Sequence, residues 1–138
     1  YKHPNSNMDN ILYGAGWLKH PSCIWVMDSA YNYMWLYKHM RALMDEYTHR
    51  YGKHHATERL NIGLSNVPQN IPNVEFTDPP QCMPDYCKGE DTVLAYQNYY
   101  IIEKSSFAKW TKRSVPQFFV EKNDGEGTVL GLHGPQAA

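Results

Sequence analysis

The segment from His20 to Lys53 constrains the fold more than any other part of the chain, because it reads as one long amphipathic helix. Its buried face would be built mostly from aromatic and methionine side chains. The residues that recur at alternating steps of three and four are Ala30, Tyr33, Tyr37, Met40, Met44, Tyr47 and Tyr51. Pro21 stands where a helix tolerates proline, and Gly52 stands where helices often end. We therefore predict a single helix over this segment, with a bend permitted by its length.

Two further stretches carry helical patterns. His55 to Leu64 predicts a short helix, and Asp91 to Trp110 predicts a second long helix that begins at an Asp N-cap. Between them, residues 65–90 contain five prolines and predict an irregular strap over the core, the alternative being a functional loop. The predicted fold is therefore mainly α, with two long antiparallel helices, a short helix, a proline-rich strap and a small C-terminal hairpin. The aromatic stripe of the first helix is expected to be buried against Tyr96, Tyr100 and Phe107 of the second.

A chain of 138 residues predicts a single domain. We divide it into a loop-like N-terminal segment (1–19), a helical core (20–119) and a hairpin or flexible tail (120–138), with the hairpin turn at Asp124-Gly125. The apolar anchors expected in the first segment are Ile11, Leu12 and Trp17. Because the chain starts at Tyr1 and not at methionine, we expect a fragment or a processed product of a longer protein.

Composition excludes a global electrostatic attraction to nucleic acid or membranes, since the net charge is -1. A nucleic-acid surface would have to be a local patch. The sequence holds 11 tyrosines, 4 tryptophans and 4 phenylalanines, which indicates a thick core, a recognition surface or both. No apolar run is long enough to span a membrane. An odd count of three cysteines without a secretory leader favours reduced thiols in a cytosolic setting, with a Cys82–Cys87 bridge as the alternative in an oxidising compartment.

Glu103 is the most informative single residue, because it falls on the aromatic stripe of the second helix, where an unpaired carboxylate would be costly. Three explanations remain open. The helix could turn Glu103 to solvent, Glu103 could pair with Arg50 or His39, or Glu103 could be a catalytic acid or base. We expect it to be at least partly buried and bonded to one of these residues or to a tyrosine hydroxyl.

A polar edge runs beside the apolar face of the first helix. It consists of Asn32, His39, Glu46 and Arg50, spaced by two turns or one turn. The edge is either a solvated helix surface or the wall of a site, and Glu46 with Arg50 also fits an ordinary stabilising pair. If it is a site wall, the candidate catalytic residues are these four together with Glu103.

Basic residues with an interleaved aromatic side chain indicate a local nucleic-acid surface. The candidates are Lys53 and His54 after the first helix, and Lys109, Trp110, Lys112 and Arg113 after the second. The cations would contact phosphates, and the tryptophan would stack a base. The alternative is a pair of solvated helix ends, since cations suit a helix C-terminus. No zinc-ligand spacing, phosphate-binding glycine loop or dinucleotide fingerprint is present, so we expect no metal and no cofactor.

Five motifs together resemble a family of small, largely uncharacterised proteins common in tailed bacteriophages. They are HPSCIW (20–25), NYMWLY (32–37), EYTHRYGKHHATERL (46–60), NIPNVEFTDPPQCMP (70–84) and AYQNYYIIEKSSFAKW (95–110). The resemblance covers most of residues 20–119, and relatives carry a further N-terminal segment rich in Asp, Lys and His. Some relatives are encoded near DNA-modification or repair genes, and the group is distantly similar to the helical pyrimidine-dimer DNA glycosylases. Those enzymes use an N-terminal amine beside a glutamate. Tyr1 departs from that pattern, so no mechanism is carried over.

The resemblance and the basic residues together favour a phage-encoded DNA-associated protein, with a repair or base-processing enzyme as its specific form. The alternative is a non-enzymatic interaction or structural component of a phage particle or complex, in which exposed aromatics would bind a protein partner. A small-molecule enzyme with an aromatic pocket is a third hypothesis. The expected location is the cytoplasm of the infected bacterium, or the virion if the protein is structural.

Overall fold

The computed structural model describes residue 8 and residues 10–123, and this part of the chain is mainly helical and contains no β-strand. The mainly α prediction is therefore confirmed. The α-helices are α1 (Pro21–Asp28), α2 (Ala30–Tyr51), α3 (Asn61–Leu64), α4 (Thr92–Glu103) and α5 (Gln117–Asn123), and 3-10 helices span Ala56–Leu60 and Asp85–Cys87. The chain divides after Pro80 into two compact units, an N-terminal unit and a C-terminal unit. This boundary lies inside the stretch 20–119 that was predicted as one helical core.

The first long helix is interrupted at Ser29, so the prediction of a single helix from His20 to Lys53 is wrong. Ser29 has an extended backbone (φ -152°, ψ 136°), and its hydroxyl accepts hydrogen bonds from the N–H groups of Tyr31 and Asn32. Serine is a favoured N-cap because its hydroxyl satisfies donors that the first helical turn leaves unpaired. The outer ends follow the sequence signals. Pro21 occupies the first turn of α1, and Gly52 ends α2 in the left-handed conformation (φ 67°).

The aromatic face of α2 packs along the segment 55–64, which runs antiparallel to it. Four side-chain contacts mark this direction, since the residue numbers rise on α2 as they fall on the segment. They are Tyr33 Oη to the Leu64 carbonyl (2.9 Å), Tyr37 Oη to Asn61 Oδ1 (2.7 Å), Arg41 to Glu58 (3.8 Å) and the rings of Tyr47 and His55 (4.9 Å). The predicted stripe is thus a real packing face, half-buried over most of its length, although Tyr51 at its end is 57% exposed.

The predicted proline-rich strap is present, and its residues 72–77 dock on the junction of α1 and α2, which the sequence did not predict. The Ala30 N–H donates to the Pro72 carbonyl (2.9 Å), and the Ser29 hydroxyl donates to the Val74 carbonyl (2.6 Å). These bonds compete directly with continuation of the helix through Ser29, because they take the backbone and side-chain groups at the junction. The break in the helix and the position of the strap therefore stabilise each other.

In the C-terminal unit, α4 begins where the sequence predicts and ends earlier. Asp91 Oδ1 accepts the Leu94 N–H (2.9 Å) as the N-cap, which confirms the predicted start. The helix ends at Glu103 and not at Trp110, and a turn follows in which the Ala108 N–H donates to the Lys104 carbonyl (2.9 Å). Ser105 and Ser106 fall in this turn, and serine is a weak helix former because its hydroxyl competes for backbone hydrogen bonds.

The core of the C-terminal unit is small. Met83, Cys87 and Ala95 form it, with Tyr96 and Tyr99 packed against it. Cys23, Cys82 and Cys87 form no disulfide in the structure. Tyr100 and Phe107 are exposed, so the prediction that they are buried is wrong.

The two ends of the described chain differ from the sequence prediction. Residues 10–20 form the expected loop, but Trp17 is 85% exposed and is not an anchor. Residues 117–123 form α5, which continues from the predicted helical core (20–119) into the predicted hairpin or flexible tail (120–138). The predicted hairpin turn at Asp124-Gly125 lies outside the described residues.

Candidate functional site

Asn32, the first residue of the predicted polar edge, is completely buried and hydrogen-bonded at both ends of its amide. Nδ2 donates to the Trp25 carbonyl (2.9 Å) and to Thr77 Oγ1 (3.0 Å), and Oδ1 accepts the Thr77 N–H (3.0 Å). The Trp25 carbonyl belongs to the last turn of α1, whose carbonyls have no partner within the helix. Asn32 therefore joins α1, α2 and the strap, which is a structural role.

His39, two turns further along α2, is exposed. Its ring stacks on Trp35 with 5.2 Å between centroids and 6° between planes. Trp35 in turn meets Trp25 edge-on at 5.8 Å and lies 6.3 Å from Phe76 of the strap. His39 is thus the outer member of an aromatic cluster that begins at the α1–α2 junction.

Glu46 and Arg50 are brought together by the helix itself. Arg50 Nε donates to Glu46 Oε1 at 2.7 Å, the spacing is one turn, and both side chains are partly exposed. This matches the ordinary stabilising pair considered from the sequence. The four residues of the predicted site wall thus have three different environments: Asn32 is buried, His39 is exposed and stacked on Trp35, and Glu46 and Arg50 form an ion pair. Their catalytic role stays a prediction.

Glu103, at the end of α4, is exposed and accepts a hydrogen bond from the hydroxyl of Tyr86. The predicted bond to a tyrosine hydroxyl is confirmed, and the predicted burial is wrong. The stripe pattern misplaced this residue because that face of α4 is exposed in the structure, at Val93 (65%) and Tyr100 (49%) as well as at Glu103. Tyr86 was not a candidate from the sequence, since it lies in the proline-rich region 17 residues away.

The carboxylate of Glu103 stabilises the neutral form of Tyr86, because it accepts a hydrogen bond from the hydroxyl group and would repel a phenolate. It raises the pKa of Tyr86 to about 12. We expect Glu103→Gln to lower this pKa towards the ordinary tyrosine value of about 10. Ring-labelled tyrosine NMR across alkaline pH measures it, and Tyr86→Phe identifies the resonance by its loss. An unchanged titration of this tyrosine in the glutamine variant would contradict the contact.

Lys104 follows Glu103 and lies against two aromatic rings. Its Nζ is 4.8 Å from the ring centroid of Tyr99 and 5.4 Å from that of Phe107. A hydrogen bond with the Tyr99 side chain raises the pKa of Lys104 and so stabilises the charged amine further. Lys104 was also missed from the sequence, although its i, i+3 spacing from Phe107 was a signal for such a contact.

Residues 104–113, here called the basic segment, hold four cations and no acidic residue. Three of the predicted nucleic-acid-binding cations lie in it, Lys109, Lys112 and Arg113, and all three are exposed. Trp110 was expected to stack a base, but its ring packs on Phe119 of α5 at 4.5 Å. The exposed ring of this segment is Phe107, at 62%. Trp110 is covered and Phe107 is exposed because α5 forms, and the sequence did not predict this helix.

Lys53 and His54, the other predicted nucleic-acid residues, lie in the N-terminal unit just after α2. Both are exposed, and His54 Nδ1 is 2.7 Å from Glu58 Oε2. The predicted basic set is therefore divided between the two units, and its larger part is the basic segment of the C-terminal unit.

Comparison with known proteins gives no family for this chain. No protein-family model matches it, and neither the curated proteins nor the solved structures contain a match. Within the described residues, no group of three or more His, Cys, Asp or Glu side chains could hold a metal ion. In the same part of the chain, no helix has the length and apolar character needed to cross a membrane.

Proposed function

We propose that the protein binds nucleic acid, as a DNA-associated protein, through the basic segment of its C-terminal unit. The observation that carries this proposal is the combination of four cations, no acidic residue and one exposed aromatic ring within residues 104–113. Cations that track phosphates, combined with rings on which bases stack, are the usual components of single-strand binding surfaces.

Local hydrogen bonds hold the backbone of the basic segment in place. The N–H groups of Phe107 and Ala108 both donate to the Lys104 carbonyl (3.2 and 2.9 Å), and the Arg113 N–H donates to the Trp110 carbonyl (3.0 Å). The contact between Trp110 and Phe119 attaches the segment to α5. A preorganised surface loses less conformational entropy on binding than a mobile one, which supports a binding role for the segment.

Electrostatics restrict this binding to a local surface. The whole chain has a net charge of -1, so attraction to phosphate comes from the basic segment and not from the protein as a whole. Glu103, the acidic residue next to the segment, is engaged by the Tyr86 hydroxyl. We therefore expect moderate affinity with a strong dependence on salt.

Replacing Lys109 and Arg113 together with alanine should weaken binding to a single-stranded oligonucleotide and flatten its salt dependence. Each lost phosphate contact should reduce the slope of log K against log salt by about 0.7, so the double variant should lose about 1.4. Fluorescence anisotropy at several salt concentrations measures the slope. Lys19→Ala with Lys38→Ala is the matched control, because it removes two exposed cations from the N-terminal unit.

Two results would contradict the proposal. One is an absence of binding, at low salt, to both single-stranded and duplex DNA. The other is an equal loss of slope in the control variant, since that would show a diffuse charge effect and not a surface at the basic segment.

A repair or base-processing activity would extend this proposal, with the phage resemblance as its support. Glu103 is the one predicted catalytic residue that adjoins the basic segment in sequence, and it would serve there as the acid or base. The alternative function, an interaction or structural component of a phage particle, is supported by exposed apolar residues of α2. Trp35, Leu36 and Leu43 are all more than one-third exposed, and Leu36 and Leu43 lie two turns apart on one face.

A further inference from the structure

Phe107 combines three properties that no other residue of the basic segment has together. Its ring is 62% exposed, its backbone N–H is bonded to the Lys104 carbonyl, and a cation lies 5.4 Å from its ring centroid. Because the Phe107 side chain is exposed to solvent and its backbone is fixed by a hydrogen bond, the ring does not contribute to the core of the C-terminal unit. It is available as a surface on which another flat group can stack.

We propose that the ligand of the basic segment is unpaired nucleic acid, with one base stacked on Phe107 and the neighbouring phosphate contacting Lys104. This inference rests on the proposed function and makes it more specific, because it selects single-stranded over duplex ligands. In a duplex the faces of the bases are covered by their neighbours in the stack, so only a strand with free bases can use the ring.

The surrounding contacts favour Phe107 over Trp110 as the stacking residue. The Trp110 ring is occupied by Phe119 at 4.5 Å, so a base would have to displace an existing aromatic contact. Lys104, by contrast, is already held beside Phe107 through Tyr99, with its Nζ 4.8 Å from the Tyr99 ring centroid. The cation is therefore positioned before the ligand arrives.

Base recognition by stacking is tolerant of sequence, because every base has an aromatic face. We therefore expect little discrimination among single strands of different composition and a clear preference for single strands over hairpin duplexes of the same charge. Loss of one stacked base corresponds to roughly 5- to 150-fold in affinity.

The test compares wild-type protein with Phe107→Leu, Phe107→Trp and Tyr31→Leu. The ligands are a fluorescein-labelled oligothymidine and a labelled hairpin duplex with the same number of phosphates. Phe107→Leu keeps an apolar side chain but removes the ring, and Tyr31→Leu removes an exposed ring from the N-terminal unit. We expect Phe107→Leu to lose about tenfold or more in affinity for the single strand and little for the duplex. Phe107→Trp and Tyr31→Leu should both retain single-strand affinity.

Several outcomes would overturn the inference while leaving the proposed function intact. They are equal binding of the two ligands by the wild type, an unchanged single-strand affinity in Phe107→Leu, and a loss in Tyr31→Leu as large as that in Phe107→Leu. Failure of the wild type to bind either ligand at low salt would instead overturn the proposed function itself. Circular dichroism of Phe107→Leu checks that the helices are retained, as expected for an exposed position.

Discussion

Replacing Asn32 with alanine should lower the free energy of unfolding by on the order of 3 kcal/mol. The substitution removes three hydrogen bonds at a side chain that is 0% exposed. It also leaves the Trp25 carbonyl and the Thr77 N–H without their partner, and each stranded polar group costs about 1–3 kcal/mol where it is buried. Urea denaturation followed by tryptophan fluorescence measures the change, because Trp25 lies at this junction.

Asn66→Ala is the matched control for Asn32→Ala, since Asn66 is an exposed asparagine of the same unit. Its effect should stay within about 0.5 kcal/mol. Asn32→Asp adds a second measurement, because it keeps the shape of the side chain but removes both N–H donors and introduces a charge into a buried site. If either Asn32 variant were as stable as the wild type, Asn32 would not be the link between α1, α2 and the strap.

The second large effect is expected for Trp25→Ala, with a loss of about 3–5 kcal/mol. Trp25 is 8% exposed, meets Trp35 and Phe76 edge-on at 5.8 and 6.1 Å, and donates its indole N–H to Thr77. Removing the indole creates a cavity where the strap crosses the two helices. The same denaturation experiment applies, with the fluorescence of Trp35 as the signal.

Trp17→Ala provides a control with the same chemical change at a side chain that is 85% exposed, and its effect should be within about 0.5 kcal/mol. Trp25→Phe keeps an aromatic ring but loses the indole donor and part of the buried volume, so its cost should be smaller than that of Trp25→Ala. Equal losses in Trp17→Ala and Trp25→Ala would contradict the burial that distinguishes them.

Only part of the basic segment could be predicted from local sequence patterns. Exposed cations at residues 109–113 follow from their chemistry and could be predicted, because burying a lysine or arginine without a partner is costly. The sequence could not predict whether Trp110 or Phe107 is the exposed ring, since both are aromatic and lie within one segment of turns. The ring of Phe119 packs on Trp110, and this contact exists only because α5 forms. The sequence of α5 has no strong helical period from which the helix could be predicted.

The hydrogen-bond partner of Glu103 also could not be predicted from the sequence. The place of Glu103 on an aromatic stripe predicted a buried carboxylate, which is wrong, and a bond to a tyrosine hydroxyl, which is confirmed. The partner is Tyr86 in the 3-10 helix Asp85–Cys87, which packs against α4. A side chain in a proline-rich segment has no period from which its direction could be read, so only the folded unit could identify it.

The sequence by itself determined the helical class, the N-terminal Pro21 and C-terminal Gly52 signals, the Asp91 cap and the aromatic face of α2, because all of these arise from interactions within a few residues of the chain. Only the tertiary structure decided that the first helix breaks at Ser29 and that Asn32 is buried. Both depend on a strap whose contacting residues, Val74 and Thr77, lie 45 positions further along the chain. A polar side chain on the edge of a helix suits water and a hydrogen-bonded junction equally well. The outcome is set by whichever distant segment supplies the matching donors and acceptors.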